Sequence, residues 1–248
     1  MKYIRKVMAA GLAIVFLIAV VIGTGVILSV RNVNVSFIDY SGAYKEEFEA
    51  VRSGLNKLKG SGLLFVGSDD IYGTVTADEY LAVDGYEKKF PCTVNVVIRE
   101  RVETFALRTL SGYKIYDERG KLIKSVPEAD ESPKNRIDGC PDVLLRCAET
   151  QVEGVAALCG EFESNFGCFR RIVESVTAEK YLELKVATFV LRNGLKITVS
   201  EWETDGAQKI KKACETYSSL SDAQRTGGTI TVAESKENGG VVSKYSPS

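Results

Sequence analysis

Any catalysis by this chain would have to come from carboxylates, hydroxyls, thiols and lysines, because its 248 residues include no histidine. That excludes Ser-His-Asp and Cys-His chemistry and any His-ligated zinc site. Cysteines stand at positions 92, 140, 147, 159, 168 and 214, and none forms a C-x-x-C pair, which removes the zinc ribbon and the thioredoxin-type redox motif. Cys92 alternates with Val94 and Val96, and Cys214 falls in a helical apolar stripe, so both read as small core residues. For Cys140, Cys147, Cys159 and Cys168 the spacing leaves disulfides and free thiols equally open. The most suggestive acidic pair is Asp69-Asp70. Adjacent residues at a helix start diverge by about 100°, which suits capping and dipole compensation better than paired acid-base work. The residues therefore assign no catalytic, cofactor-binding or metal-ligating site. A membrane-anchored extracytoplasmic hydrolase using a Ser-Lys pair or paired carboxylates is the alternative from another class.

The elements that would position any site begin with a run free of charge from Val7 to Val30. At about 1.5 Å rise per residue such a run is roughly 36 Å of helix, against a hydrocarbon core of about 30 Å. The Leu, Ile, Val and Phe residues between Leu12 and Leu28 favour insertion by roughly −4 to −7 kcal/mol in sum. Lys2, Arg5 and Lys6 precede the run and Arg31 follows it, so the positive-inside bias puts residues 1–6 in the cytoplasm and residues 31–248 outside the cytoplasmic membrane. A cleaved signal peptide, with Gly23-Thr24-Gly25 as its small-x-small site, is the competing reading, but the apolar run is longer than a signal's. Of 32 Lys and Arg against 33 Asp and Glu, three cations precede the run, which leaves the remainder at a net charge of about −4. No basic face for nucleic acid is implied.

Beyond the run, Asn32 to Ile38 alternates as a short strand. Ser41 is placed to cap a helix whose stripe is Tyr44, Phe48, Val51, Leu55 and Leu58, with Gly60 ending it. Ser68 to about Ala77 is a shorter helix, and Tyr80–Lys88 and Cys92–Arg99 form a hairpin across Lys89-Phe90-Pro91. Strand-like pieces run from Thr104 to Ile123 around Ser111-Gly112 and Asp117-Glu118-Arg119-Gly120, and Lys124 to Asn135 reads as an exposed loop. A helix follows at Val152–Phe166. Strands are expected at Tyr181–Val190 and Leu195–Ser200 around Asn193-Gly194, a turn whose residues both tolerate positive φ. Another helix is expected near Ala207–Leu220, then strands at Thr229–Ala233 and Val241–Tyr245. The class is α+β: a β-α-α-β-β domain over 31–101 and a mixed β domain with flanking helices over 102–248.

At Gly62-Leu63-Leu64-Phe65-Val66 and again from Phe90-Pro91-Cys92 through Glu100-Arg101, the chain resembles the FtsQ/DivIB bacterial division proteins. Asp117-Glu118-Arg119-Gly120, the Lys-bearing helix from Lys209 to Leu220 and the strand Gly228-Thr229-Ile230-Thr231-Val232 extend the resemblance along nearly the whole chain. The chain departs from the family pattern at Val102-Glu103, where a proline-apolar pair is usual, and in its cysteines from Cys140 to Cys168. The resemblance implies a short cytoplasmic tail, a transmembrane helix over 7–30, a small POTRA domain and a β domain. It implies a non-enzymatic, cofactor-free divisome scaffold that binds the single-pass proteins FtsL and DivIC/FtsB and links septum assembly to wall synthesis. Another POTRA-bearing envelope protein, of transport or sporulation, is the nearer alternative.

The resemblance also places the partner-binding strand at Gly240, Val241, Val242, Ser243, Lys244 and Tyr245, after a turn at Lys236-Glu237-Asn238-Gly239. So near the C-terminus, a strand is expected at a sheet edge with unpaired backbone groups. Tyr245 is expected as an aromatic anchor for the partner, and the Val242 N–H as an open ladder donor. Arg101 is expected to pair with an acid on a neighbouring strand as an exposed contact worth at most about 1 kcal/mol.

Overall fold

The computed structural model describes residues 28–38, 42–127, 142–181, 184–235 and 239–247. The expected cytoplasmic tail, the apolar run up to residue 27, Ser41, Cys140, most of the loop expected over 124–135, and Lys236 to Asn238 lie outside the described residues. Among the described residues no helix is long and apolar enough to cross a membrane. The chain is a mixed α+β protein that divides into two compact units between Glu100 and Arg101.

In the first unit, strands β1 (Asn32–Ile38), β2 (Leu81–Lys89) and β3 (Thr93–Glu100) form a sheet of order β1-β3-β2. β1 runs parallel to β3, which requires a crossover between them. Helices α1 (Lys45–Leu55) and α2 (Ser68–Val75) supply it. α1 has Glu46 and Glu47 in its first turn and Arg52 in its last, the charge order its dipole favours. It tightens into one 3-10 turn, and Gly60 then takes φ +91 while its N–H donates to the Val30 carbonyl at 2.9 Å. α1 and α2 approach so closely that a Cβ on Gly54 would sit 2.7 Å from Thr74 Cγ2. The core gathers Val51, Leu55, Leu63, Val66, Ile71 and Val75 against Val94, Val96 and Ile98, with Phe37 stacked on Phe48 at 4.6 Å between centroids. Cys92 departs from the sequence reading: it stands just before β3, partly exposed, so the alternation that makes Val94 and Val96 core does not reach it.

The second unit is one nine-stranded sheet of order β12-β11-β10-β9-β8-β7-β4-β5-β6. Its strands are β4 (Phe105–Thr109), β5 (Gly112–Tyr116), β6 (Leu122–Pro127), β7 (Val143–Arg146), β8 (Val173–Tyr181), β9 (Leu184–Leu191), β10 (Lys196–Ser200), β11 (Thr229–Glu234) and β12 (Val241–Ser246). Helices α3 (Val152–Phe166) and α4 (Gly206–Ser219) bury their apolar stripes against it. The inner face is built from cross-strand rows such as Val176, Phe189, Ile197 and Ile230. Adjacent in register is an outer row, Arg146-Thr177-Thr188-Thr198-Thr231-Lys244, that crosses six strands. Its β-branched hydroxyls keep strand propensity while remaining compatible with water.

Four elements differ from the sequence reading, the first being β7, a strand at Val143–Arg146 where none is expected. The start of the expected loop, Lys124 to Pro127, belongs to strand β6; its terminal proline is tolerated because β6 is an edge. β8 was not expected before Tyr181, because a register shift between Val173 and Ser175 breaks its period-two pattern and its inward residues include the small Ala178. In the β9–β10 turn only Gly194 takes positive φ, at +89, and its N–H returns to the Leu191 carbonyl at 2.9 Å.

Arg101, the first residue of this unit, is half-buried against it rather than fully exposed at its surface. Its Nε donates to Asp117 Oδ2 at 3.0 Å and a terminal nitrogen donates to the Lys121 and Leu122 carbonyls at 2.9 and 2.7 Å. Asp117 is fully buried, and its Oδ1 also accepts the Arg119 and Lys121 N–H groups. The Asp-x-x-Gly motif is thus a turn wound around one carboxylate. Gly120 in it takes φ +75, and a Cβ there would stand 2.8 Å from Glu153 Cα, at the first turn of α3. Removing one member of a buried pair leaves the other charge uncompensated, at about 3 kcal/mol or more. Arg101→Ala is therefore expected to destabilise the second unit by about 3 kcal/mol. Chemical unfolding followed through Trp202, the single tryptophan, measures this; an unchanged midpoint would show the pair to be dispensable.

Candidate partner-binding edge

β12 pairs with β11 alone, antiparallel from Thr229↔Ser246 to Glu234↔Val241, with no bulge. Among the described residues no strand pairs with its other side. Along it Val241, Ser243 and Tyr245 are half-buried, whereas Val242, Lys244 and Ser246 are exposed. The backbone directions follow from one bond at the turn. The Ser235 N–H donates to the Gly240 carbonyl at 2.7 Å, so in this register Ser235 and Gly240 are a hydrogen-bonded pair. Antiparallel ladders alternate, which turns the backbone groups of Val242, Lys244 and Ser246 toward β11. Those of Val241, Ser243 and Tyr245 face outward. The Val242 N–H is accordingly committed to β11, which corrects the reading of it as an open donor.

The strand is fixed from behind by α4 and the segment that follows it. Ser243 and Thr216 hydroxyls are hydrogen-bonded, and the Tyr245 hydroxyl donates to the Gln224 and Gly227 carbonyls at 3.1 and 3.3 Å. Tyr245 therefore fastens the strand to its own unit instead of standing free as a partner anchor. Gly228 has φ +88, and a Cβ there would lie 2.6 Å from the Ser246 carbonyl oxygen and 2.9 Å from the Tyr245 ring, so only glycine fits. Arg225 closes the arrangement: it donates to the Tyr217 and Ser218 carbonyls at the end of α4 and lies 5.3 Å from the Tyr217 ring centroid. Thr216 carried no signal in the sequence, since it acts on Ser243, 27 residues away. Gly228 did, as the glycine opening the Gly-Thr-Ile-Thr-Val strand.

α4 itself is seated by Lys209, whose ammonium is buried and donates to the Glu201 and Thr204 carbonyls, each at 2.8 Å. Glu201 and Asp205 both adopt left-handed backbone, with φ +47 and +52. Such conformations cost about 1–3 kcal/mol each and persist where the surroundings enforce them. Lys209 supplies that enforcement at the turn from β10 into α4.

The groups singled out for chemistry lie elsewhere. Asp70 Oδ2 accepts the Gly67 N–H at 2.7 Å, and Asp69 and Asp70 are both exposed in the first turn of α2, the capping arrangement. Cys214 is buried in the core and Cys159 fully so, while Cys147 packs partly buried against the same core. Burial pushes the Cys147 thiol up to about 11 and, joined by Glu215, the Cys214 thiol up to about 12, away from nucleophilic use. A cleft of about 410 Å³ opens beside Trp202, between the starts of α3 and α4, and its charged lining residues are Glu161 and Glu203. Among the described residues no group of three or more Cys, Asp or Glu could hold a metal ion. No family model and no curated protein matches the chain.

The thiols make stability depend on pH with a definite sign. An unfolded thiol ionises near its ordinary value of 9.0, whereas folded Cys147 and Cys214 ionise only near 11 and 12, so the stability they contribute is whole below about pH 9 and is lost as pH rises toward the folded values. The unfolding temperature is expected to fall progressively above pH 9, with a shallower fall in Cys214→Ala. Identical slopes in the two proteins would contradict the assignment to Cys214.

Proposed function

We propose that the chain is a non-enzymatic scaffold of the bacterial division septum, of FtsQ/DivIB type, anchored in the cytoplasmic membrane by the span 7–30 with its bulk outside. In this reading it captures FtsL and DivIC/FtsB-like single-pass proteins and links them to wall synthesis. The observation that carries the proposal is β12: an unbulged edge strand, locked from behind, with the backbone groups of Val241, Ser243 and Tyr245 directed outward. An extended partner segment added there would gain main-chain hydrogen bonds and continue the outer row beyond Lys244. The β-α-α-β-β order of the first unit supports reading it as a POTRA domain, and the β-rich second unit supports the family's two-domain ectodomain.

The outward N–H of Ser243 is the one to remove. Ser243→Pro deletes a donor that β11 does not use and costs the fold the Thr216 hydroxyl contact, about 1 kcal/mol. Pull-down from membranes is expected to recover at least about tenfold less of the FtsL and DivIC/FtsB-like proteins, a loss on the order of 1.4 kcal/mol of binding. Trp202-monitored unfolding should meanwhile stay near that of the parent. Val242→Pro would instead strip a β11 bond and loosen the strand. Undiminished capture by a folded Ser243→Pro protein would refute the edge as the binding site.

A further inference from the structure

We propose that Leu64, Phe65 and Phe90 form a membrane-docking rim that sits in the lipid interface beside the anchor and holds the first unit against the bilayer surface. The proposal rests on reading residues 7–30 as a bilayer span. Leu64, Phe65 and Phe90 are 60%, 88% and 66% exposed, among the most exposed large apolar side chains described in this unit. All three lie at the end where the apolar run enters the unit. The Val30 N–H donates to the Ser61 carbonyl at 2.8 Å, the Leu63 N–H to the Leu28 carbonyl at 2.6 Å, and the Gly60 N–H to the Val30 carbonyl at 2.9 Å. On the other side, the Arg31 and Asn32 N–H groups both donate to the Cys92 carbonyl, at 2.8 and 3.2 Å. Residues 28–30 at the end of the run are therefore bonded to the loop that carries Leu64 and Phe65, and residues 31 and 32 just after it to the β2–β3 turn that carries Phe90.

The loop is preformed for this. Leu63 and Val66 are buried in the core, and between them the chain turns tightly, with the Phe65 N–H on the Gly62 carbonyl at 2.9 Å. Phe65 folds back over Gly62, where a Cβ would stand 2.8 Å from its ring. Burial of Leu63 and Val66 thus dictates that Leu64 and Phe65 point out. Exposed Arg31 and Lys59 stand at the same end, the charge that anionic headgroups attract, together with Lys89, which pairs with Glu87 at 3.5 Å. Apolar tips flanked by cations match an interfacial lipid contact, and a bilayer that the preceding residues cross is already within reach.

Full-length protein in vesicles of phosphatidylcholine and phosphatidylglycerol provides the test. Phe65→Trp, Phe90→Trp and Ile38→Trp are compared using lipids brominated on the upper acyl chain, with the Trp202 emission of the parent subtracted. Ile38 is a partly exposed control at the far end of β1, about 20 Å away along the strand. Bromination is expected to lower the emission of Phe65→Trp and Phe90→Trp about twofold and to leave Ile38→Trp unchanged. Protein stripped from the vesicles by an alkaline wash would overturn the anchor reading, and the docking with it. Protein that resists the wash while Phe65→Trp stays unquenched would overturn the docking alone. A blue-shifted but unquenched Phe65→Trp would also overturn it, since the rim would then be covered by protein, either a second copy or another segment of this chain.

Discussion

The second unit turns on the contact between Arg101 and Asp117. A carboxylate with no exposure to solvent needs several donors, and this one receives the Arg101 guanidinium and the N–H groups of the turn it begins. Those donors dictate the path of residues 117 to 121, which seats Gly120 on the first turn of α3. Arg101 also reaches the Lys121 and Leu122 carbonyls, so the chain entering the unit, the β5–β6 turn and the covering helix are set by one pair of charges. Lys209 solves the corresponding problem at the other end of the sheet without a carboxylate, through two carbonyls of a turn whose backbone would otherwise relax.

Between these two fixtures the sheet obeys a simple constraint. Two helices cover one face, and they bury rows of Val, Phe, Ile and Ala; the opposite face carries threonine from β8 to β11 and ends on Lys244. A sheet that does not close must leave edges, and edges are normally blunted by bulges, proline or cover. β6, the other edge of this sheet, ends in Pro127, and β2, an edge of the first unit's sheet, carries a register shift beside Asp84. β12 has neither device within its paired residues, yet it is held in place by Tyr245, Ser243 and the glycine at 228. An edge that carries only Lys244 as a guard and is already rigid suits strand addition, since little ordering remains to be done when a partner arrives.

The first unit shows the same economy in the loop from Leu63 to Val66. Buried Leu63 and Val66 flank exposed Leu64 and Phe65 so closely that inward packing and outward display are one event. The proposed anchor and the proposed rim are joined by backbone bonds from residues 28 to 32, so any tilt of one would be transmitted to the other.

By itself the sequence determined the elements whose signal is local. The helical stripes of 45–55, 152–166 and 206–219, the alternation of β1 and β3, the glycine turn at 194 and the absence of histidine chemistry all follow from spacing or composition within a few residues. The tertiary structure decided what depends on distant partners. It decided that β12 is the last strand in the order, that Arg101 is half-buried against the buried Asp117, that the Val242 N–H is used by β11, that Tyr245 is tied to the carbonyls of 224 and 227, and that Cys92 lies outside the core. Periodicity states which side of an element is apolar. Strand order, hydrogen-bond direction and the company a buried charge keeps are settled by bonds between segments far apart in the chain, and no local pattern encodes them.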